Sequence, residues 1–165
     1  MAEITLKGNP VHTVGELPAV GGVAPDFKLA NGQLEDVGLA AFAGRKKILN
    51  IVPSLDTGVC AMSARRFNAD VAGRDDVVVL NISADLPFAA GRLCESSKLD
   101  NIVPLSVFRA PEFGRDYGVL IIDGPMRGLL SRAVVVLDEQ DKVVYTEQVP
   151  EIAQEPDYEA ALAEV

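Results

Sequence analysis

Hydrophobic and polar positions along the chain predict an alternation of short strands and helices. Segments that are apolar and branched, or that alternate apolar with polar residues, predict strands at about 4–6, 11–14, 26–30, 33–37, 46–53, 75–82, 102–106, 129–137 and 142–148. Helical spacing, or a proline at a helix start, predicts helices at about 60–71, 87–94, 111–117 and 157–164. The chain is therefore expected to combine both kinds of element throughout.

Turn signals indicate how these elements connect. Gly8-Asn9-Pro10 predicts a short N-terminal hairpin, and Asn31-Gly32 predicts a second hairpin. Segments 46–53 and 75–82 are typical of strands buried on both faces, and the 60–71 helix between them predicts a right-handed parallel crossover. The order of elements predicts an α/β, thioredoxin-like fold: a mixed central β-sheet flanked by helices, with an added N-terminal β-hairpin.

Composition limits the classes of partner. The 165 residues, 48% of them hydrophobic, fit a single domain covering 1–165. The net charge of −9, without a basic stripe, argues against nucleic acid or a membrane as a partner. The first residues do not resemble an export signal, so we expect a cytoplasmic protein. In so acidic a chain, Asp56, Asp85 and Glu155 are interpreted as solvated surface without a chemical role.

A cysteine lies where a buried strand gives way to the next predicted helix. Cys60 follows Pro53-Ser-Leu-Asp-Thr57 and falls in the first turn of that helix, where free N–H groups and the helix dipole favour a thiolate. Thr57 lies three residues earlier, so its hydroxyl can donate to the sulfur or to an oxygen bound beside it. Pro53 removes a competing backbone donor and shapes the loop. This context favours a reactive thiol over an inert buried cysteine.

The same residues carry a resemblance to a known family. Pro53, Thr57 and Cys60 reproduce the Pro-x-x-x-Thr-x-x-Cys signature of the peroxiredoxins. The longer string Asn-Ile-Val-Pro-Ser-Leu-Asp-Thr-Gly-Val-Cys resembles the bacterial thiol peroxidases, an atypical two-cysteine branch. The resemblance continues through segments 82–88, 131–136 and 155–162.

This resemblance implies roles for individual residues. Cys60 is similar to the peroxidatic cysteine, Cys94 to the resolving cysteine, and Arg132 to the arginine beside the thiolate. Thr57 and Arg132 would hold the two peroxide oxygens, and Pro53 would limit solvent access. Arg132 also has a physical reason for such a role, because a lone cation at the entrance to an apolar strand is unusual unless it meets an anion.

The implied reaction needs no metal or organic cofactor. Cys60 attacks a hydroperoxide, which releases water or an alcohol and leaves a sulfenic acid, and Cys94 then closes an intramolecular disulfide. Thioredoxin would reopen this disulfide, with hydrogen peroxide and organic hydroperoxides as substrates. If the two thiols are too far apart for a bond in the reduced fold, one of the two helices must unwind locally. The resemblance also suggests a homodimer.

Other interpretations of the two cysteines compete with this one. A cysteine hydrolase needs a base, and the sole histidine, His12, lies in the N-terminal hairpin. A Cys-x-x-Cys redox motif is absent, because Met62 and Ser63 follow Cys60, and the spacing for zinc is also absent. A permanent structural disulfide would require an oxidising compartment. A thiol-based redox sensor or binding module without efficient turnover is the main alternative.

Overall fold

The computed structural model describes residues 1–165 and contains nine strands and four helices. In chain order they are β1 (Glu3–Leu6), β2 (Asn9–His12), β3 (Leu29–Ala30), β4 (Asp36–Val37), β5 (Lys46–Ile51), α1 (Gly58–Asp70), β6 (Val77–Ser83), α2 (Pro87–Ser96), β7 (Ile102–Ser106), α3 (Glu112–Asp116), β8 (Ala133–Leu137), β9 (Val143–Gln148) and α4 (Tyr158–Leu162). A 3-10 turn at Leu39–Phe42 precedes β5. None of the helices has the length and apolar character needed to cross a membrane.

Seven strands form one mixed sheet in the order β4-β3-β7-β6-β5-β8-β9. β5, β6 and β7 are parallel neighbours, joined by α1 and α2, whereas β8 runs antiparallel to β5, and β9 to β8. The central strands are buried along nearly their whole length, as continuous apolar runs predict for strands covered on both faces. The predicted thioredoxin-like mixed sheet is confirmed.

Two apolar cores lie on the opposite faces of this sheet. Alternate residues of β5 contribute to each, because successive side chains of a strand point to opposite faces. Leu49 packs in the cluster that contains Phe113 of α3, and Ile48 packs in the cluster that contains Phe67 of α1 and Tyr158 of α4. Helices on both faces are therefore confirmed, and α1, α2 and α4 share one face.

The N-terminal hairpin, β1 and β2, forms a separate two-stranded sheet and confirms its prediction. Ile4 and Val11 pack in a small third cluster with Ile121 and Ile152, which come from segments on either side of β8 and β9. Thr5 donates its backbone N–H to Pro150 O at 2.8 Å. The hairpin therefore covers the segment that follows β9.

Several elements differ from their predicted bounds. The second hairpin exists, but its strands have two residues each, because Asn31 Oδ1 accepts hydrogen bonds from the backbone N–H groups of Gln33 and Glu35 at 3.0 Å. Leu34 adopts the left-handed conformation with φ of 63°, so a five-residue loop replaces the tight Asn-Gly turn. β8 begins at Ala133 rather than at 129, which leaves Arg132 immediately before the strand.

Candidate active site

The first turn of α1 is held by its capping residue. Thr57 has an extended backbone, and its Oγ1 accepts a hydrogen bond from the backbone N–H of Cys60 at 3.3 Å. The Thr57 hydroxyl donates to Ser54 O at 3.4 Å, and the Thr57 carbonyl accepts from Ala61 N at 2.9 Å. The side chain therefore caps the helix, and it contacts the Cys60 backbone rather than the sulfur in this state.

Cys60 lies against a buried arginine. Arg132 Nη2 is 3.2 Å from Cys60 Sγ, and Arg132 Nε donates to Ile152 O at 2.8 Å. Cys60 is fully buried, Arg132 is only 2% exposed, and Arg132 Nη1 has no hydrogen-bond partner. The sheet explains this approach, because Ala133 pairs with Ile51 at the end of β5, which brings the preceding arginine beside the loop that leads into α1.

Arg132, Thr57 and Pro53 line one cavity of about 310 Å³. The remaining wall is mainly apolar and includes Leu6, Val59, Met126 and Ile152. The residues of this wall come from the N-terminal hairpin, from α1 and from the segments before β8 and after β9. Cys60 lies behind the cavity, in contact with one of its lining residues. The structure thus brings three of the predicted site residues to one surface depression next to the cysteine.

The second cysteine lies in an apolar environment on α2. Cys94 is 9% exposed and packs in the same cluster as Phe67 and Ala64 of α1. Burial raises the pKa of its thiol to about 11, because the charged form loses solvation. Cys60 and Cys94 are both free thiols, and they lie on two helices that pack on the same face of the sheet. At neutral pH the folded protein therefore keeps Cys94 protonated.

Asp85, for which the sequence offers no functional signal, has a central place beside the site. Its Oδ1 accepts from Ser54 Oγ at 2.7 Å, and its Oδ2 accepts from Leu55 N at 2.7 Å and from Ser83 Oγ at 2.8 Å. The interpretation of Asp85 as solvated surface was wrong, because two of these donors belong to the loop that precedes α1. Asp56 is exposed, and Glu155 accepts from Tyr158 Oη at 2.8 Å.

The sole histidine is engaged elsewhere. His12 Nδ1 lies 2.6 Å from Asp123 Oδ2, and His12 Nε2 lies 3.2 Å from Glu3 Oε2. The hydrogen bond with Asp123 is the main cause that raises the pKa of His12 above its usual value. No group of three or more His, Cys, Asp or Glu residues has an arrangement that could hold a metal ion.

Comparison with known structures defines the class of the protein. A peroxiredoxin-like protein from Aquifex aeolicus superposes with a TM-score of 0.91 at 38% identity, over 99% of this chain and 95% of that chain. A thiol peroxidase from Chromobacterium violaceum superposes with the same TM-score at 24% identity and shares the fold. The Redoxin family model matches residues 19–162, and the chain therefore belongs to the redoxin family.

Relatives with higher sequence identity show which branch of the family the chain resembles. The chain is 55% identical to the thiol peroxidase of Mycobacterium tuberculosis and 50% identical to that of Corynebacterium glutamicum. Each match extends over 163 residues and covers 99% of this chain and 98% of the relative. The resemblance to the bacterial thiol peroxidases that the sequence shows is therefore confirmed. The enzyme is a peroxiredoxin-type oxidoreductase, and this class implies a hydroperoxide substrate and a thiol reductant.

Proposed function

We propose that the protein reduces hydrogen peroxide and organic hydroperoxides through a Cys60 sulfenic acid and an intramolecular Cys60–Cys94 disulfide, and that thioredoxin reduces this disulfide. In the first step the Cys60 thiolate attacks the distal peroxide oxygen, the O–O bond breaks, and the leaving oxygen departs as water or an alcohol after it takes up a proton. In the second step Cys94 displaces water from the sulfenic acid. Two electrons pass from sulfur to the peroxide in each cycle.

The observation that carries this proposal is the position of Arg132. One nitrogen of its guanidinium reaches Cys60 Sγ, a second is fixed by Ile152 O, and the third, Nη1, is buried without a hydrogen-bond partner in a residue that lines the cavity. A fixed cationic donor beside the nucleophile stabilises charge as it moves from sulfur to the leaving oxygen. The unpartnered Nη1 gives the site a donor available for a peroxide oxygen.

The cavity wall supports organic hydroperoxides among the substrates. Leu6, Val59, Met126 and Ile152 offer an apolar surface next to the polar group of Arg132. An alkyl substituent can lie on this surface while the peroxide oxygens face the guanidinium, since burial of apolar area favours binding. Hydrogen peroxide lacks that substituent and would depend on the polar contacts alone.

We propose that the resolving step involves a structural change. A disulfide places its two sulfur atoms about 2.05 Å apart, and here both cysteines are buried free thiols on different helices. Burial raises the pKa of Cys94 to about 11 and so disfavours its thiolate, and opening of α2 or of the first turn of α1 would expose this thiol to Cys60. We propose that this opening follows the oxidation of Cys60, that the protein acts in the cytoplasm, and that it forms a homodimer, as the family resemblance implies.

Turnover measurements test the proposal. We expect the intact protein to consume NADPH in the presence of thioredoxin, thioredoxin reductase and cumene hydroperoxide. Cys60→Ser removes the nucleophile and is expected to abolish turnover. Cys94→Ser leaves a sulfenic acid without its partner, so consumption should stop after about one equivalent of peroxide.

A second outcome would favour the sensor hypothesis instead. If the intact protein shows no turnover with any thiol reductant while Cys60 still oxidises stoichiometrically, the two-cysteine cycle is wrong. If glutathione or a dithiol other than thioredoxin supports turnover and thioredoxin does not, the cycle stands and the proposed reductant is wrong.

A further inference from the structure

One carboxylate joins the two loops that lead into the cysteine-bearing helices. Asp85 lies two residues before α2, the helix of Cys94, and its side chain accepts hydrogen bonds from Ser54 Oγ and Leu55 N in the loop that leads to α1. Both of these bonds are 2.7 Å long. Bonds to an ionised acceptor are among the stronger hydrogen bonds in proteins.

Asp85 is itself fixed from the central sheet. Ser83 Oγ donates to Asp85 Oδ2 at 2.8 Å and accepts from Asp85 N at 3.2 Å, and Ser106 Oγ donates to the Asp85 carbonyl. Ser83 and Ser106 are register partners at the ends of β6 and β7, and both are 1% exposed. The carboxylate is therefore held on rigid strand ends and reaches from them to a loop.

That loop determines the geometry of the site. Ser54 Oγ also accepts from Asp56 N at 3.0 Å, and Ser54 O accepts from the Thr57 hydroxyl at 3.4 Å. Thr57 in turn caps the turn that contains Cys60. A continuous chain of hydrogen bonds thus runs from the carboxylate through the loop to the backbone of the reactive cysteine.

From these contacts we infer that Asp85 is a positioning residue that acts as a latch between the two cysteine segments. The inference rests on the proposed two-cysteine cycle. While the latch is closed, the α1 loop presents Cys60 to Arg132 and to peroxide. Disulfide formation is proposed above to involve movement of α1 or α2, and Asp85 opposes such movement because it ties the loop before one helix to the residues before the other.

The latch has opposite effects on the two chemical steps. Its loss should slow the oxidation of Cys60, since fewer molecules hold the α1 loop in the competent geometry. The same loss should speed disulfide formation, since the helices separate more readily from the sheet. A residue that merely stabilised the fold would not change the two rates in opposite directions.

The test compares Asp85→Ala with variants matched to it. Asp85→Asn keeps a carbonyl oxygen for Leu55 N and Ser83 Oγ and presents an amide to Ser54 Oγ, which can accept. Its hydrogen bonds lack the charge of the carboxylate, so both of its rates should lie between those of the wild type and of Asp85→Ala. Ser54→Ala removes the hydrogen bond from Ser54 Oγ to Asp85, and it replaces Asp85→Ala in the test if that variant does not fold. Asp26→Ala is the control, because Asp26 Oδ1 also bridges two backbone segments, through Phe27 N and Leu39 N, outside the site.

Rapid-quench alkylation followed by mass spectrometry measures both steps, and it suits a chain without tryptophan. We expect Asp85→Ala to oxidise Cys60 with cumene hydroperoxide at least about tenfold more slowly, because the loss of a hydrogen bond to a charged group is worth roughly that factor. At saturating peroxide, disulfide formation should be several-fold faster than in the wild type. Asp26→Ala should match the wild type in both steps.

Each outcome decides the inference. Oxidation of Asp85→Ala at the wild-type rate would overturn the positioning role, and disulfide formation that is unchanged or slower would overturn the latch. An equal loss in Asp85→Asn would show that charge rather than geometry is required and would also overturn it. Failure of the proposed function is separate, because the wild-type protein itself would then form no Cys60–Cys94 disulfide.

Discussion

Arg132 is the residue on which the proposed chemistry depends most. Its planar guanidinium spans two partners at once, Ile152 O through Nε and Cys60 Sγ through Nη2. A lysine has the same charge, but its single ammonium group is a compact point on a flexible stem and cannot reproduce this fork. The contact therefore depends on geometry as well as on charge.

Replacement of Arg132 by lysine tests this geometry. We expect kcat/KM of Arg132→Lys for cumene hydroperoxide to fall by about tenfold or more, because the loss of one charged hydrogen bond is worth roughly that factor. Arg66→Lys is a matched control, since Arg66 pairs with Asp70 on the surface of α1 and should retain wild-type activity. Full activity in Arg132→Lys would show that charge alone is sufficient.

Among the residues of the site, those that lie close to one another along the chain are the ones that local sequence patterns identify. Pro53, Thr57 and Cys60 form a local signature, and each has a physical reason that applies within one loop and one helical turn. Leu6 and Met126 reach the cavity only through tertiary packing of distant segments, so nothing near Cys60 in the sequence marks them. The role of Asp85 was missed for the same reason, since its partners in the loop before α1 lie 30 or 31 residues away.

The first turn of α1 is the element in which structure and proposed chemistry meet. Polar contacts hold it: Thr57 caps the Cys60 N–H, and Ser63 Oγ donates to the Cys60 carbonyl at 2.9 Å. Behind it, the buried amide of Asn50 on β5 bonds to Asn81 on β6 at 2.8 Å. Asn50 Oδ1 and Asn81 Nδ2 have no partner, so this buried network is only partly satisfied. Asn50 Nδ2 also lies 3.3 Å from Ser63 Oγ, so this network links the first part of α1 to the central sheet.

The cap of α1 gives a prediction at the element scale. Thr57→Val removes the oxygen that accepts the Cys60 N–H, and we expect the free energy of unfolding to fall by about 1 kcal/mol. Thr57→Ser keeps the hydroxyl and should remain close to the wild type. Urea denaturation measures the stability, and hydrogen exchange of the peptide that covers α1 should show faster exchange only in Thr57→Val. Equal protection in both variants would contradict the capping role.

Patterns within an element predict its type better than its ends. The apolar runs of β5 and β6 and the helical spacing of α1 are strong periodic signals, and all three elements form. Their ends depend on individual hydrogen bonds, such as the Asn31 side chain that opens the second hairpin into a longer loop. Arg132 lies outside β8 for a similar reason, because pairing with β5 begins at Ala133.

At the scale of the whole molecule, sheet topology assembles the site. β8 enters antiparallel to β5, so the start of β8 meets the end of β5, where the loop to α1 begins. This arrangement brings Arg132 to Cys60 across 72 positions of sequence. The N-terminal hairpin contributes Leu6 to the cavity wall. The order of elements predicts the sheet, but only the pairing of β5 with β8 explains why these two residues meet.

We expect peroxide to drive Cys60 and Cys94 of the same chain into one disulfide. Peptide mapping by mass spectrometry, after addition of one equivalent of cumene hydroperoxide and alkylation of the remaining thiols, tests it most directly. The expected result is a linked Cys60–Cys94 peptide, loss of both free thiols, and migration as a single chain on a non-reducing gel. A sulfenic or sulfinic Cys60 beside an alkylated Cys94, or a disulfide between two chains, would contradict it.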